Sequence, residues 1–571
     1  MPVRFLEDSC LYSEKGPAPG GEPPRGGAFL VRGTVFGPGP VPGVPAIIRD
    51  PRLLNDLESD ASFMGHDPER DCLTLVRDAV GATQLFYARV RDGWAASFDL
   101  GVLLGHLSRK PKANEAALYD FLATHYRYVF REPFRTFHEG VYQVPAGQFV
   151  RLKGDSAVTE RYLSLDFDPE ASKLSKQEAA DRYLAMLDDN LALRLEKLSG
   201  SDFGFTVSSG LDSATVACLA QRRLEGPLRA WTMSYSSAKG SPYDETPKVR
   251  ELVAETGWEL HALEMGAPDL LGEADRLMGL THAPMVTVTW LANYHLARKA
   301  REYGHRFLFS GLGGDESLAG EFEHFFLFFA DLLAAGEKGL LDKETEAWAR
   351  LHATKEFPKG PGVRDAWISR NLDLATGEIR VDQPRYTQFR HWFDPDWVAE
   401  RERDMAAPPM PRPYPYFLSN RLFQEMSHET SPPTLWSEAL SSHAGGVKGV
   451  FPMASPRLFR LALSLPGTFK YQDGYTKMLI RRSTKGLLPD VSRLNPVKTG
   501  FNAPLDLWLR DPVTAGETLA LLLSSPLRDK RWLREGALEG IVAEHQAGKR
   551  NNMMLLWPLI QTALFLNRLG G

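Results

Sequence analysis

Two short stretches of the chain gather carboxylates among small residues. The first is Ser208-Ser209-Gly210-Leu211-Asp212-Ser213, inside the run TVSSGLDSATVACLA (206–220). The second is SGLGGDESLAG (310–320), with Gly311, Gly313 and Gly314 ahead of Asp315 and Glu316. Each follows an apolar, β-favouring run and leads into a helix-favouring one. A turn in that place presents backbone N–H groups and the positive end of a helix dipole, which together favour an anion. Gly210 lets the backbone approach closely. Ser208, Ser209 and Ser213 can donate hydroxyl hydrogen bonds. Asp212 would repel a bare phosphate, so a bridging divalent cation is expected beside it. Asp315 at the same rim would complete a two-carboxylate magnesium site facing one pyrophosphate, and the GLGG glycines would let the backbone pass close to a nucleotide. The first turn contains no GxxxxGK[ST]. Its plain alternative is an ordinary strand-to-helix connection capped by serine.

These turns need a sheet to hold them. FGFTVS precedes the helical run SATVACLAQRRL, LRAWTMSY (228–235) precedes TPKVRELVAETG (246–257), and VTWLANYHLARKAREYG (288–304) precedes RFLFSG (306–311). This alternation predicts a parallel sheet with right-handed crossovers, which binds ligands beyond the carboxyl ends of its strands. The first part of the chain reads differently. GAFLVRGTVFG (27–37), CLTLVRDAVG (72–81), ATQLFYARVRDGWAASFD (82–99) and GVYQVPAGQFVRLKG (140–154) are short β-favouring runs broken by Gly, Pro and Asp. KGPAPGGEPPRGG (15–27) reads as a loop. Ser175 and Glu178 form a candidate capping box for a helix over 176–198, just past a polar crossing into a second domain. The expected division is 1–170 and 171–571, in an α/β chain whose C-terminal third is mostly helical.

Composition narrows the class. The chain has 571 residues, 43% hydrophobic and 24% charged, with a formal net charge of −5. That balance argues against a general nucleic-acid binder. Cys10, Cys72 and Cys218 form neither a CxxC pair nor a metal-ligand spacing. No run is apolar enough to span a bilayer, and MPVRFLEDSCLYSEKG lacks the apolar core of a signal peptide. A reducing cytoplasm is the expected setting.

SSGLDS resembles the SGGxDS pyrophosphate loop of ATP pyrophosphatases. Together with SGLGGDE, the segment SPYDETPKVRELVAETGWELHALEM (241–265) and the block LALSLPGTFKYQDGYTKMLIRRSTKGLLPDVSRLNPVKTGFNAPLDLWLRD (461–511), it resembles the asparagine synthetase family, which includes β-lactam synthetases and lasso-peptide cyclases. LVRDAVGATQLFYAR and FHEGVYQVPAGQFVRL resemble strands of the family's glutaminase-like domain. The resemblance implies an α+β Ntn-glutaminase-like sandwich followed by an ATP-pyrophosphatase-type synthetase domain with a parallel sheet. It implies ATP and Mg2+, adenylation of a carboxylate with release of pyrophosphate, and attack by an amine to give an amide and AMP. On it, Ser208, Ser209, Gly210 and Ser213 hold the pyrophosphate, and Asp212 and Asp315 hold magnesium. Val207 and Met233 flank the adenine and ribose, and Ser310 and Gly311 line the same pocket. Lys477 and Lys498 stand near the phosphates. Lys498 is the better candidate for stabilising charge in the second step, while Lys477 could equally lie on a solvated helix face.

The sequence departs from the family in three places. Glutamine-using members begin Met-Cys-Gly and use that cysteine as nucleophile, whereas this sequence reads Met1-Pro2-Val3. A retained scaffold without glutamine hydrolysis is therefore expected. Family members place Glu or Tyr where Leu312 stands, and an E-V-R-x-P-F-L-D segment appears here as Lys448 to Ser455, so Lys448 and Ser455 replace acids. Ser209 replaces the first loop glycine. His282, Glu321, His324 and His443 are candidate proton acceptors by proximity to motifs alone, and a structural role is favoured for each. Glu316 could orient a metal-bound water or cap the next helix. The aromatic run 321–333 reads as core rather than acceptor pocket, and 334–435 as a lid or a substrate-specific insertion. The expected partners are a small-molecule or peptide carboxylate and an amine, with no nucleic acid and no membrane; a homodimer is an open assembly state. The expected function is an adenylating, amide-forming synthetase in specialised-metabolite or modified-peptide biosynthesis. The rivals are an intramolecular cyclase of the lasso or β-lactam type and an ATP-binding pseudo-enzyme. A sulfur-transferring tRNA enzyme is weak, for want of a cysteine pair and a basic surplus.

Overall fold

The computed structural model describes residues 3–5, 9–13, 29–36, 41–123, 129, 132–198, 202–241, 243–266, 269–355, 357–379, 387–404, 411–429, 431–496 and 503–570. Near the N-terminus two five-stranded antiparallel sheets lie face to face. One runs, in spatial order, Val3–Phe5, Ser9–Ser13, Gly93–Ser97, Phe86–Val90, Val141–Gln143; the other runs Ser156–Arg161, Gln148–Lys153, Cys72–Val76, Ser62–Asp67, Phe29–Arg32. Alternation along the strands explains the packing. Leu73, Leu75, Val150 and Leu152 of one sheet share a core with Tyr87, Trp94 and Ala96 of the other. The opposite faces are largely covered along their central strands, while Phe29, Val31 and Val158 at the edges stay exposed. Phe86, Ala88 and Ala95 join a core with Trp290, Leu291 and Phe565, and Phe63, Val76 and Phe149 join one with Phe325 to Phe329. Strands whose central positions are covered on both faces cannot show clean hydrophobic-polar alternation, which is why they read only as short β-favouring runs.

The helix Lys176–Lys197 follows, closed by a full capping box between Ser175 and Glu178. Beyond it lies a five-stranded, wholly parallel sheet in the order Glu259–Met265, Arg229–Tyr235, Phe203–Thr206, Phe307–Phe309, Lys448–Val450. The strands at 259–265 and 448–450 are additions to the sequence reading. The first lies beside the outer Arg229–Tyr235 strand and alternates partly exposed with exposed positions, and the second is three residues long. Winding runs outward from 203–206 to 259–265, then returns to 307–309 on the other side. The strand order therefore reverses between 203–206 and 307–309, where a crevice must open at the carboxyl ends. Phe205 and Phe309 stack across that seam, ring centroids 5.0 Å apart.

The helix His324–Ala334 holds the aromatic run, and Phe325, Phe326, Phe328 and Phe329 are all buried against Trp348 and Tyr471. It is core. The described part of 334–435 packs into the same core through Leu341, Trp348, Ile368, Tyr414, Leu418 and Leu422. It is a helical layer rather than a lid over the crevice. No helix among the described residues is long and apolar enough to cross a membrane.

Candidate active site

Both carboxylate turns lie at the strand-order reversal. The helix Leu211–Gln221 begins directly after the first turn, with Gly210 at its N-cap and no side-chain cap. The serine-capped alternative is therefore not what forms. Instead the hydroxyls brace the turn: Ser213 Oγ accepts from Ser208 N at 3.1 Å and lies 3.0 Å from Ser208 Oγ, which accepts from Gly210 N at 3.1 Å. Ser209 is held from behind, its backbone N–H donating to Glu245 Oε2 at 3.3 Å. Ser209 is not among the residues with positive φ, so serine fits where the family uses glycine. An uncapped helix N-terminus with Asp212 in its first turn leaves N–H groups and dipole facing the crevice.

The second turn sits against the first. A Cβ at Gly311 would lie 2.4 Å from Ser213 N, and one at Gly314 would lie 2.4 Å from Asp212 Cγ. At Gly311 and Gly314 the missing side chain lets the two turns touch each other, while Gly311 also lines the crevice; Gly313, at φ 103°, passes close to Met453 and Ala454 instead. Glu316 is buried in the short helix Gly314–Leu318 and does not line the crevice.

The two aspartates converge on one cation. Lys477 Nζ pairs with Asp212 Oδ2 and lies 2.6 Å from Asp315 Oδ1. Burial pulls the Lys477 ammonium down, but the charges and hydrogen bonds of Asp212 and Asp315 outweigh it and hold the group above the ordinary lysine range. Lys477 is only 7% exposed, so it is no solvated helix face. Arg481 stands behind it, donating to the carbonyls of Thr476, Arg493 and Asn495, and burial lowers its guanidinium to about 10. Two carboxylates that close on one ammonium are spaced to share a single small cation, and the all-oxygen donor set suits Mg2+ with substrate phosphates completing its shell. Asp212 and Asp315 would hold that ion, which would supply charge neutralisation on the phosphates.

A cavity of about 540 Å³ opens over these groups. Val207, Ser208, Ser209, Gly210, Asp212, Ser213, Ser310, Gly311, Asp315 and Lys477 all line it. Met233 does not; it is buried in the core, and Trp231, two residues earlier on the same strand, lines the cavity instead. Lys498 lies outside the described residues. Val286, Val288, Trp290, Met553, Met554 and Trp557 give the cavity an apolar wall, with Thr287, Thr289 and Asn293 among them. Glu438, on the helix Ser431–Ala444, lines it as well. Burial pushes the Glu438 carboxyl up to about 7, against a hydrogen bond from the Ser310 hydroxyl.

The four proton acceptors considered from sequence lie elsewhere. His282 packs on Gly101 and its carbonyl accepts from His138. His324 accepts the Glu321 N–H at Nδ1, so its Nε2 carries the proton toward the Glu425 carboxylate, 2.9 Å away in a buried cluster with Arg421. Glu321 and His443 are not in the cavity wall.

Residues 183–567 match the family model of asparagine synthase, and residues 51–163 match that of a glutamine amidotransferase domain. The chain belongs to the asparagine synthase family. Glutamine-hydrolysing asparagine synthetase 1 of Bacillus subtilis (strain 168) is 20% identical over 497 residues, covering 85% of this chain and 73% of that protein. The glutamine-hydrolysing asparagine synthetase of Asparagus officinalis is 25% identical over 282 residues, covering 47% of this chain and 40% of that protein. As an asparagine synthase-family member the chain is an ATP-dependent, amide-forming synthetase. The departures from the family find structural partners. Lys448 Nζ pairs with Asp60 Oδ2 at 2.8 Å, and the Ser455 hydroxyl donates to Glu58, which Arg194 approaches at 3.8 Å. Two positions that are acidic elsewhere in the family thus bind acids of the N-terminal sandwich segment 58–60.

Proposed function

We propose that this synthetase adenylates a substrate carboxylate, releases pyrophosphate and passes the acyl group to an amine that it does not make by hydrolysing glutamine. The observation that carries the reading is the convergence of Asp212, Asp315 and Lys477 beneath an uncapped helix N-terminus at the sheet's strand-order reversal. The Ser208–Ser213 turn holds the leaving pyrophosphate, and Asp212 and Asp315 hold its magnesium. Val207, Ser310 and Gly311 line the nucleoside end, and Lys498 assists the second step. Residues 1–170 serve as scaffold and 171–571 as synthetase. Glutamine hydrolysis is disfavoured by the thiols that are described. Cys72 and Cys218 are both buried, and burial raises each above the ordinary thiol range, Cys218 to about 12, where no thiolate nucleophile forms. The setting we infer is a reducing cytoplasm, and the product a specialised metabolite or modified peptide.

The apolar cavity wall suits an acid with an apolar body. ATP–pyrophosphate exchange against a panel of the twenty proteinogenic amino acids and their N-acetyl derivatives, with magnesium, tests the reading. Exchange with one or more acids is expected, and an amide should form from added ammonium chloride but not from glutamine. No exchange with any acid overturns it. Leu312 and the paired Lys448 favour one second reading, a nucleotide-binding pseudo-enzyme. That protein would bind ATP yet release no AMP in the same panel.

A further inference from the structure

An amine that attacks an acyl-adenylate must lose a proton, and the family positions that handle it are occupied here by Leu312 and Lys448. Leucine has no titratable group, and Lys448 is held by Asp60. Among the described residues of the cavity wall the carboxylates are Asp212, Asp315 and Glu438, and there is no histidine. Asp212 and Asp315 are turned to Lys477 at the phosphate end. Tyr243, also in the wall, donates its hydroxyl proton to Asp506 at 2.9 Å.

Glu438 is placed differently. It shares the cavity wall with Ser310 and Leu312 of the second turn, where the Ser310 hydroxyl oxygen accepts the Leu312 N–H at 3.3 Å. The carboxyl thus lines the same cavity as the 310–312 turn, which holds the position where other members carry their proton-handling side chain. Thr434, one helical turn earlier, lines the cavity with it, while Leu435, Trp436, Ser437, Ser441 and Ser442 bury the rest of the helix. A carboxylate on a packed helix that lines the cavity is a held acceptor rather than a mobile surface acid.

We propose that Glu438 is the catalytic base of the second half-reaction, taking the proton of the attacking amine in place of residues 312 and 448. The C–N bond forms at the acyl carbon, the C–O bond to AMP breaks, AMP leaves with that electron pair, and the nitrogen's proton passes to the Glu438 carboxylate and then to water. Burial tunes the carboxyl toward neutrality, where a base is most effective. The assignment rests on the amide-forming reading above.

The test separates the half-reactions and uses two nucleophiles of different basicity. Wild type, Glu438→Gln and Glu438→Asp are assayed with an acid that supports exchange, using ammonium chloride or hydroxylamine as acceptor. At neutral pH ammonia is held almost wholly as ammonium, which must give up a proton before it can attack; hydroxylamine is largely neutral, attacks as it stands and sheds its proton afterwards, when water can accept it. Glu438→Gln is expected to lose amide formation from ammonium about 100-fold, the lower range of general-base contributions. It should keep ATP–pyrophosphate exchange and hydroxamate formation within about threefold, and Glu438→Asp should recover part of the ammonium rate. Equal rates with ammonium in wild type and Glu438→Gln overturn the assignment alone. Loss of exchange and of both acceptor reactions together in Glu438→Gln and Glu438→Asp also overturns it, since that is a structural role. Wild type without exchange for any acid overturns the underlying reading and this assignment with it.

Discussion

In the turn 77–83 of the N-terminal sandwich, the Asp78 carboxylate accepts from the backbone N–H groups of Val80, Gly81, Ala82 and Thr83 at 2.7 to 3.2 Å. Beside it the Arg77 guanidinium donates to the carbonyls of Gly81, Thr83 and Val144. In the turn 208–213 of the parallel sheet, the same kinds of residue are arranged the other way. The helix behind it has no side-chain cap, and Asp212 faces a cavity and a buried ammonium. One turn spends its charge on its own backbone; the other presents charge and N–H groups to whatever enters. Both contain an aspartate, a glycine and small polar residues, so residue types alone do not separate a scaffold from a site. The direction in which bonding capacity points does.

The contrast can be broken most sharply at the open turn. Asp212→Asn or Asp315→Asn should lower ATP–pyrophosphate exchange about a thousandfold, the scale of a lost metal contribution of several kcal/mol, with thermal unfolding little changed. Exchange within tenfold of wild type would remove the metal assignment. The closed turn should respond in reverse. Asp78→Ala leaves four N–H groups, three of them buried, without their acceptor and should cost about 3–4 kcal/mol in denaturant unfolding, while the folded fraction keeps its exchange rate. A stable Asp78→Ala protein would contradict the closed account of that turn.

Lys477→Met comes next in size. Removing the ammonium from two carboxylates should cost about 3 kcal/mol in chelator, and millimolar magnesium should restore much of the lost melting temperature. Indifference of that variant's melting to magnesium would show that the carboxylates do not share a cation. The smallest effect concerns the seam between the two regions. His138 Nε2 donates to the His282 carbonyl at 2.7 Å, and burial pulls its imidazole from 6.5 down to about 4. A folded value below the unfolded one means that protons favour unfolding. Stability should be full above pH 6.5 and should fall as the pH drops toward 4, and His138→Gln should flatten that slope in melts taken across the window.

Much of this was legible in the chain. The βα alternation marked the parallel sheet, and Ser175 with Glu178 marked a helix start that forms as read. Three things were hidden. The short strand 448–450 reads as helical territory because three residues carry no period. Lys477 reads equally as a phosphate-side residue or a solvated helix face because its partners are 265 and 162 residues away in sequence, and only folding brings them together. Glu438 has no motif around it; it sits in an amphipathic helix and becomes distinctive only when the Ser310 turn packs against it. The glycines at 311 and 314 also serve a contact between the two turns that sequence does not show, since sequence cannot tell a backbone approaching a ligand from one approaching another turn.

The ammonium wedged between two acids has a thermodynamic corollary. A resting molecule that supplies its own counter-charge stays balanced in chelator, and an arriving divalent ion must first evict Lys477. Its apparent affinity is weakened by the cost of that eviction, and tightens when triphosphate oxygens offer the displaced lysine a new anchor. Metal and nucleotide should therefore arrive cooperatively, each poor at occupying the pocket alone.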